Sequence, residues 1–213
     1  MNKFLTAAVA LAIGAASTAS FADTGNFFVN GNLGTSDYRI SNAFGGLNAS
    51  GANHTSVDKK DLAGAVRIGY RWNSVVDYGV ETGYVNLGNA ESRIANDSSH
   101  GSLKQKSRGW LLGGNLNYNI NDSWYVSARG GWYRAHNAFQ VRSYTPIGNF
   151  RGSSSTTGTG EYFGVGVGYN INKAFSVGVN YDNYHSNGNS SDVNKLSTNV
   201  AMYSVFGEYR FNF

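Results

Sequence analysis

The feature that most constrains this chain is an alternation of period two that recurs in eight segments between Asn26 and Phe213. Successive side chains of an extended strand point to opposite faces, so such a segment has one apolar face and one polar or glycine face. Phe27, Val29, Gly31 and Leu33 alternate with Asn26, Phe28, Asn30 and Asn32. Leu62, Gly64, Val66, Ile68, Tyr70 and Trp72 alternate with Ala63, Ala65, Arg67, Gly69 and Arg71. Segments opening at Val76, Trp110, Trp124, Phe163, Phe175 and Ala201 repeat the pattern. A strand that crosses a membrane needs about 9–11 residues, and its apolar face meets lipid. The pattern therefore predicts an all-β fold, an eight-stranded antiparallel transmembrane up-and-down β-barrel. A soluble barrel would turn its apolar faces inward.

Composition agrees where it bears on strands. Glycine is abundant at 28 of 213 residues, aromatics reach 14%, and there is one proline. Aromatic residues favour strands, whereas proline removes a ladder hydrogen bond. The chain has no cysteine, which excludes disulfides, thiolate chemistry, Cys-ligated metals and a lipid-modified N-terminal Cys. Lys3, the apolar run Phe4 to Ala16, and the small residues Ser20 and Ala22 predict a signal peptide over residues 1–22, cleaved after Ala22. That run is too short to span a bilayer as a helix. The barrel is then expected over 23–213, in the outer membrane of a Gram-negative bacterium. The formal net charge of +4 is too small to point to nucleic acid, and no cofactor is expected.

Connections fall into two kinds. Tyr70-Arg71-Trp72-Asn73-Ser74-Val75-Val76 aligns without gaps with Tyr118-Asn119-Ile120-Asn121-Asp122-Ser123-Trp124 and Tyr169-Asn170-Ile171-Asn172-Lys173-Ala174-Phe175. These predict three tight periplasmic turns. The stretches at about 35–61, 89–106, 135–160 and 185–198 are rich in Ser, Asn, Gly and Thr and predict long extracellular loops. A first turn that sets Trp72 opposite Val76 places Arg71 opposite Asp77 and Arg67 opposite Glu81, two opposite-charge pairs in register on one face. With Arg129, Asp182, Glu208 and Arg210, the polar face then carries four arginines and four acids. Arginine in lipid costs about 2–4 kcal/mol near the midplane, so that face is the interior. An eight-stranded bore is only wide enough for side chains, and a balanced charge set suits it as a plug.

The whole stretch resembles the small outer-membrane barrels of the OmpA-like transmembrane-domain type. The resemblance is carried by Trp124-Tyr125-Val126-Ser127-Ala128-Arg129-Gly130-Gly131-Trp132-Tyr133 and by the ending Tyr209-Arg210-Phe211-Asn212-Phe213. It implies that Tyr209, Phe211 and Phe213 form the terminal signal read by the barrel-assembly machinery. With the chain stopping at Phe213, the resemblance covers a barrel alone, and peptidoglycan anchoring is not expected from it. Barrel-only relatives serve as adhesins, complement-evasion proteins, small pores or membrane stabilisers.

Aromatic residues fit two interfacial belts. Tyr70, Trp72, Tyr78, Tyr118, Trp124, Tyr169, Phe175, Tyr209 and Phe211 lie by the short turns. Tyr84, Trp110, Trp132, Phe163, Tyr181 and Tyr203 lie nearer the loops. Arg93, Lys104, Lys106, Arg108, Arg134, Arg142 and Arg151 outnumber the acids of the second and third loops. They predict contact with anionic outer-membrane lipid and lipopolysaccharide. A host surface ligand bound by these loops, as in an adhesin, is the second reading.

Two further readings stand beside these. Gly164, Gly166, Gly168 and Gly178 on the inner face would leave space for a narrow channel. His185-Ser186-Asn187 is faintly similar to the His-x-Ser-Asn motif of outer-membrane lipid A deacylases. Here, however, the two side chains are adjacent and alternate to opposite faces. His54, His100, His136 and His185 show no metal-ligand spacing, and no catalytic residue is expected.

Overall fold

The computed structural model describes residues 25–39, 54–58, 60–96, 99–145, 148–187 and 197–211. The expected signal peptide with its cleavage at Ala22, and the terminal Phe213, lie outside these. The strands are β1 (Gly25–Arg39), β2 (His54–Asp58), β3 (Lys60–Trp72), β4 (Asp77–Asn96), β5 (Ser99–Asn119), β6 (Trp124–Thr145), β7 (Gly148–Asn170), β8 (Phe175–Asn187) and β9 (Ser197–Phe211). All neighbours are antiparallel, β1 pairs with both β3 and β9, and β4 pairs with β5, so the sheet closes. Strand β2 pairs with β4 above β3, so β2 and β3 serve as one stave of an eight-stave barrel.

The faces follow the alternation. Leu62, Val66, Trp110, Leu112, Trp132 and Val205 are exposed on the outside, while Arg67, Glu81, Asp182 and Glu208 are buried inside. Rings pair at both belts: Tyr70 with Trp72 at 5.1 Å and Trp124 with Tyr169 at 5.1 Å by the short turns, Tyr84 with Trp110 at 5.3 Å at the outer end. Rings with a polar tip settle at such interfaces.

Two expectations are corrected. The second and third polar connections, expected as loops at 89–106 and 135–160, are largely strand. Ladders β4–β5 and β6–β7 run up to Asn96↔Ser99 and Thr145↔Gly148. Ser, Thr, Asn and Gly favour loops by local propensity, but a neighbouring strand that supplies every ladder partner overrides it. The second correction concerns the first turn. Trp72 opposes Tyr78, so Arg71 faces Gly79 and Arg67 faces Gly83, a register two residues removed from the expected one. The other two turns are true copies. The Asn121 side chain accepts from the N–H groups of Ser123 and Trp124 at 2.9 and 2.8 Å, and Asn172 accepts from Ala174 and Phe175 at 2.8 and 2.7 Å. In the first turn Asp77 takes over this role, accepting from the Ser74 N–H at 2.9 Å, and the turn widens.

One irregularity sits at the outer end. Strand β4 gains a residue between Asn86 and Asn89, where Gly88 has φ +73°. This is a bulge that needs the left-handed region, which glycine enters without a Cβ penalty. A Cβ on Gly88 would lie 2.6 Å from the Leu62 carbonyl oxygen. The bulge is held from both sides. Ser36 Oγ donates to the Leu87 carbonyl at 2.6 Å, and Asp61 accepts from the Asn89 backbone and side chain at 2.7 and 2.8 Å.

Candidate functional site

The bore contains two layers. The layer toward the short turns is ionic. Arg67, wholly buried, donates to Asp182 at 3.2 Å and to the Tyr184 hydroxyl at 2.8 Å, with Glu81 at 3.7 Å from its Nε. Arg71 donates to both oxygens of Glu208, at 2.8 and 3.3 Å, and from Nε to Asn115 at 2.9 Å, with its guanidinium 4.4 Å from the Phe28 ring centroid. Arg129 reaches Asp182 at 3.7 Å, and Arg210 reaches Glu208 at 3.9 Å. Tyr162 donates to Glu81 at 2.8 Å, and Asn30 to Glu208 at 3.3 Å. Each buried carboxylate thus faces a guanidinium, the condition under which buried charge is tolerable.

Seven of the eight expected charges meet here, joined by ion pairs. Asp77 does not: its carboxylate is taken by Ser74 and by Asn119 at 3.2 Å in the turn region. The expected Arg71–Asp77 pair is replaced by Arg71–Glu208, which follows from the two-residue register change. Arg67 and Glu81 remain close, although Glu81 opposes Gly69.

The outer layer was missed in the sequence. Tyr38, Val85, Leu87, Leu111, Tyr133, Tyr162, Tyr184, Val200 and Met202 form a buried apolar cluster inside the barrel. Tyr184 packs against Tyr133 and Tyr162 at 5.4 and 6.1 Å between ring centroids. The signal was present in the parity. Leu111 lies between outward Trp110 and Leu112, and two steps before inward Gly113, so it must point inward.

The glycines read as channel space are occupied by neighbours. A Cβ at Gly164 would meet the Asp182 carboxylate, one at Gly166 the Asn180 amide, one at Gly168 the Tyr125 ring and one at Gly178 the Phe206 ring. Small residues on one stave accept large ones from the next. His185 is half-buried on the outer face, whereas Ser186 is buried on the inner one, so the two do not converge.

At the outer rim, Lys106, Arg108 and Arg134 are exposed on the outer face of β5 and β6, and Arg151 is exposed on β7. Lys104 is half-buried on β5; Arg93 and Arg142 lie in β4 and β6, with their side chains outside the described residues. Tyr209 is exposed at the short-turn end and its ring meets Phe211 at 4.9 Å.

A closed antiparallel sheet with an apolar outer band, ring belts and an ionic interior defines an outer-membrane β-barrel. The chain belongs to the family of the OmpA-like transmembrane domain, whose model matches residues 14–213. Among solved structures, the Escherichia coli outer membrane protease OmpT is similar with 12% identity, a TM-score of 0.51, and coverage of 92% of this chain and 99% of that one. Ail, the attachment invasion locus protein of Yersinia pestis, solved in complex with the heparin analogue sucrose octasulfate, is 15% identical over 88% of this chain and 99% of that one, TM-score 0.47. OprG of Pseudomonas aeruginosa is 14% identical over 89% and 97%, TM-score 0.45. At these identities the likeness is one of fold. No curated protein sequence matches the chain.

Proposed function

We propose that this protein is a structural component of the outer membrane whose outer rim contacts lipopolysaccharide and which does not serve as a conduit. The observation that carries this reading is the filled bore. An ionic layer around Arg67 and an apolar layer around Leu111 and Tyr184 leave the outer surface as the place for interaction. Basic residues on that surface lie where anionic headgroups attract them. Deleting the gene should sensitise cells to bile salts and to large antibiotics, and restoring it should reverse this. Unchanged sensitivity would remove the structural role. Purified barrel should also be silent in planar bilayers, and steady conductance steps would argue for the channel.

Adhesion is the second reading, favoured by one observation. The register sets Arg142 directly opposite Arg151 on the part of β6–β7 beyond the membrane. Like charges opposed in a ladder destabilise it, and a bound anion would offset this. Heparin retention of the barrel, lost in an Arg142→Gln/Arg151→Gln variant, would support adhesion; equal retention of both proteins would dismiss it.

A further inference from the structure

On the lipid-facing side of β5 and β6 an apolar groove of about 780 Å³ opens at the outer ring belt. Its floor is the cross-strand pair Gly114↔Gly130, and its walls are Val80, Leu112, Trp132 and Phe163. A Cβ on Gly114 would meet only the Gly79 carbonyl oxygen, at 3.4 Å, and one on Gly130 the Tyr162 carbonyl oxygen at 3.3 Å and the Phe163 ring at 4.0 Å. Trp132 is 70% exposed and Leu112 57%, so these walls stand free of other protein groups.

Directly above the groove, on the same two strands, three cations face outward. Arg134 opposes Trp110, Arg108 opposes His136, and Lys106 opposes Ala138. All three are exposed, and none is in an ion pair among the described residues. Cross-strand and same-face neighbours lie about 5–8 Å apart, which brings the three charges within reach of one polyanionic headgroup. Glu161, opposite Trp132, lines the groove itself with Asn183 and His185, so the groove's β7–β8 end is polar and its apolar part lies on β5 and β6. The distribution is uneven around the barrel. Above the Tyr181–Tyr203 pair on β8 and β9 the outward positions are Asn183, His185, Ala201 and Asn199; on β1 and β3, Lys60 opposes Asp37.

Resting on the reading of the rim as a lipopolysaccharide contact, we propose that this face is a single built site for one acylated, phosphorylated glycolipid of the outer leaflet. One acyl chain lies in the groove over Gly114 and Gly130, between Val80 and Phe163 and below the Leu112↔Trp132 pair. The phosphates are held by Lys106, Arg108 and Arg134, whose charges the groove leaves free. Apolar depth and positive rim on the same two strands distinguish this from a general attraction of the barrel to anionic lipid. A chain without a phosphate would lack the upper contact, and a phosphate without a chain the lower one.

The test uses the folded full-length barrel in nanodiscs of zwitterionic lipid, with purified lipid A titrated in and bound lipid counted by native mass spectrometry. One tightly retained lipid A is expected. Lys106→Gln/Arg108→Gln/Arg134→Gln should weaken it at least tenfold, and Gly114→Leu/Gly130→Leu should do so with every charge in place. Gly114→Ala/Gly130→Ala is the milder companion should the leucine variant fold poorly, and heat-modifiable gel mobility reports folding. Neutralising Arg39 and Lys60 on the opposite face should change retention less than twofold. Retention unaltered by both groove and rim variants overturns the site, as does equal retention of phosphatidylglycerol. The deletion phenotype is read separately. Loss of the site with an intact phenotype removes only this proposal, whereas a bound lipid without any deletion phenotype removes the structural role.

Discussion

Arg67 and Asp182 meet at 3.2 Å across the bore, from strands β3 and β8, which are not neighbours in the sheet. The contact ties distant staves by side chains as well as by the ladder. Truncating Arg67 leaves Glu81 buried without a guanidinium and leaves Asp182 with Arg129 alone, and breaking a buried pair in this way typically costs about 3–5 kcal/mol. Arg67→Ala should lower unfolding stability by that order in urea titrations of barrel folded into lipid vesicles, followed by tryptophan fluorescence. Adding Glu81→Gln to Arg67→Gln should recover part of the loss, because Glu81 is the carboxylate that Arg67 alone pairs, whereas Asp182 keeps Arg129. A single variant as stable as the parent would show that the pair is dispensable.

The two copied turns should respond alike. Asn121→Ala and Asn172→Ala each remove a side-chain acceptor for two backbone N–H groups, and a typical hydrogen bond contributes about 0.5–1.5 kcal/mol net. Each variant should lose roughly 1–2 kcal/mol by the same urea measurement. Asn73→Ala should lose less, because Asp77 closes that turn.

Gly88→Ala should weaken the outer end of β4. A left-handed residue with a Cβ costs about 1–2 kcal/mol, and here the Cβ would also press on the Leu62 carbonyl. Hydrogen exchange should accelerate locally at residues 86–92, with the ionic layer unaffected. Uniform exchange across all strands would contradict a local role for the bulge.

Asp61, just beyond the membrane-spanning part of β3, supplies a pH response. Burial acts to raise its pKa, but donors at Leu62 and Asn89, with Lys104 nearby, hold its carboxyl below the ordinary value. A pKa depressed by folding adds stability at pH above the unfolded value of 3.8, which is lost as pH falls through the lower folded value. The Asp61 carboxyl carbon should titrate below 3.8 by NMR, and acidification through that range should loosen the bulge. A midpoint at or above that value would show that the Asn89 contacts do not favour the carboxylate.

Closure, strand count, the lipid-facing set and the two ring belts were legible in the sequence, because period two is imposed on each strand by its own backbone. Register was not, since it depends on how one turn is closed. Asn73 aligns with Asn121 and Asn172, yet Asp77 displaces it, and the first register moves by two residues. Arg71 then finds Glu208, a partner from the far end of the chain that no local spacing could have indicated. The apolar layer of the bore was legible only in part. Leu111 and Tyr162 sit at inward parity, but apolar residues on both faces of one segment blur the alternation that reveals either face. The length of β5, β6 and β7 was hidden because their Ser, Thr and Gly residues owe their strand state to neighbours.

Those long strands set a height. From His136 to Thr145, β6 runs on beyond the outer ring belt, paired throughout with β7, which amounts to roughly 30 Å of extended chain. A loose loop of that length would fluctuate, and its reach would be an average over many shapes. A hydrogen-bonded ribbon holds its tip at a standoff fixed by backbone geometry. Whatever meets the protein at the tip, near Arg142 and Arg151, meets it at a defined distance above the outer ring belt, and the barrel is the footing that keeps that distance constant.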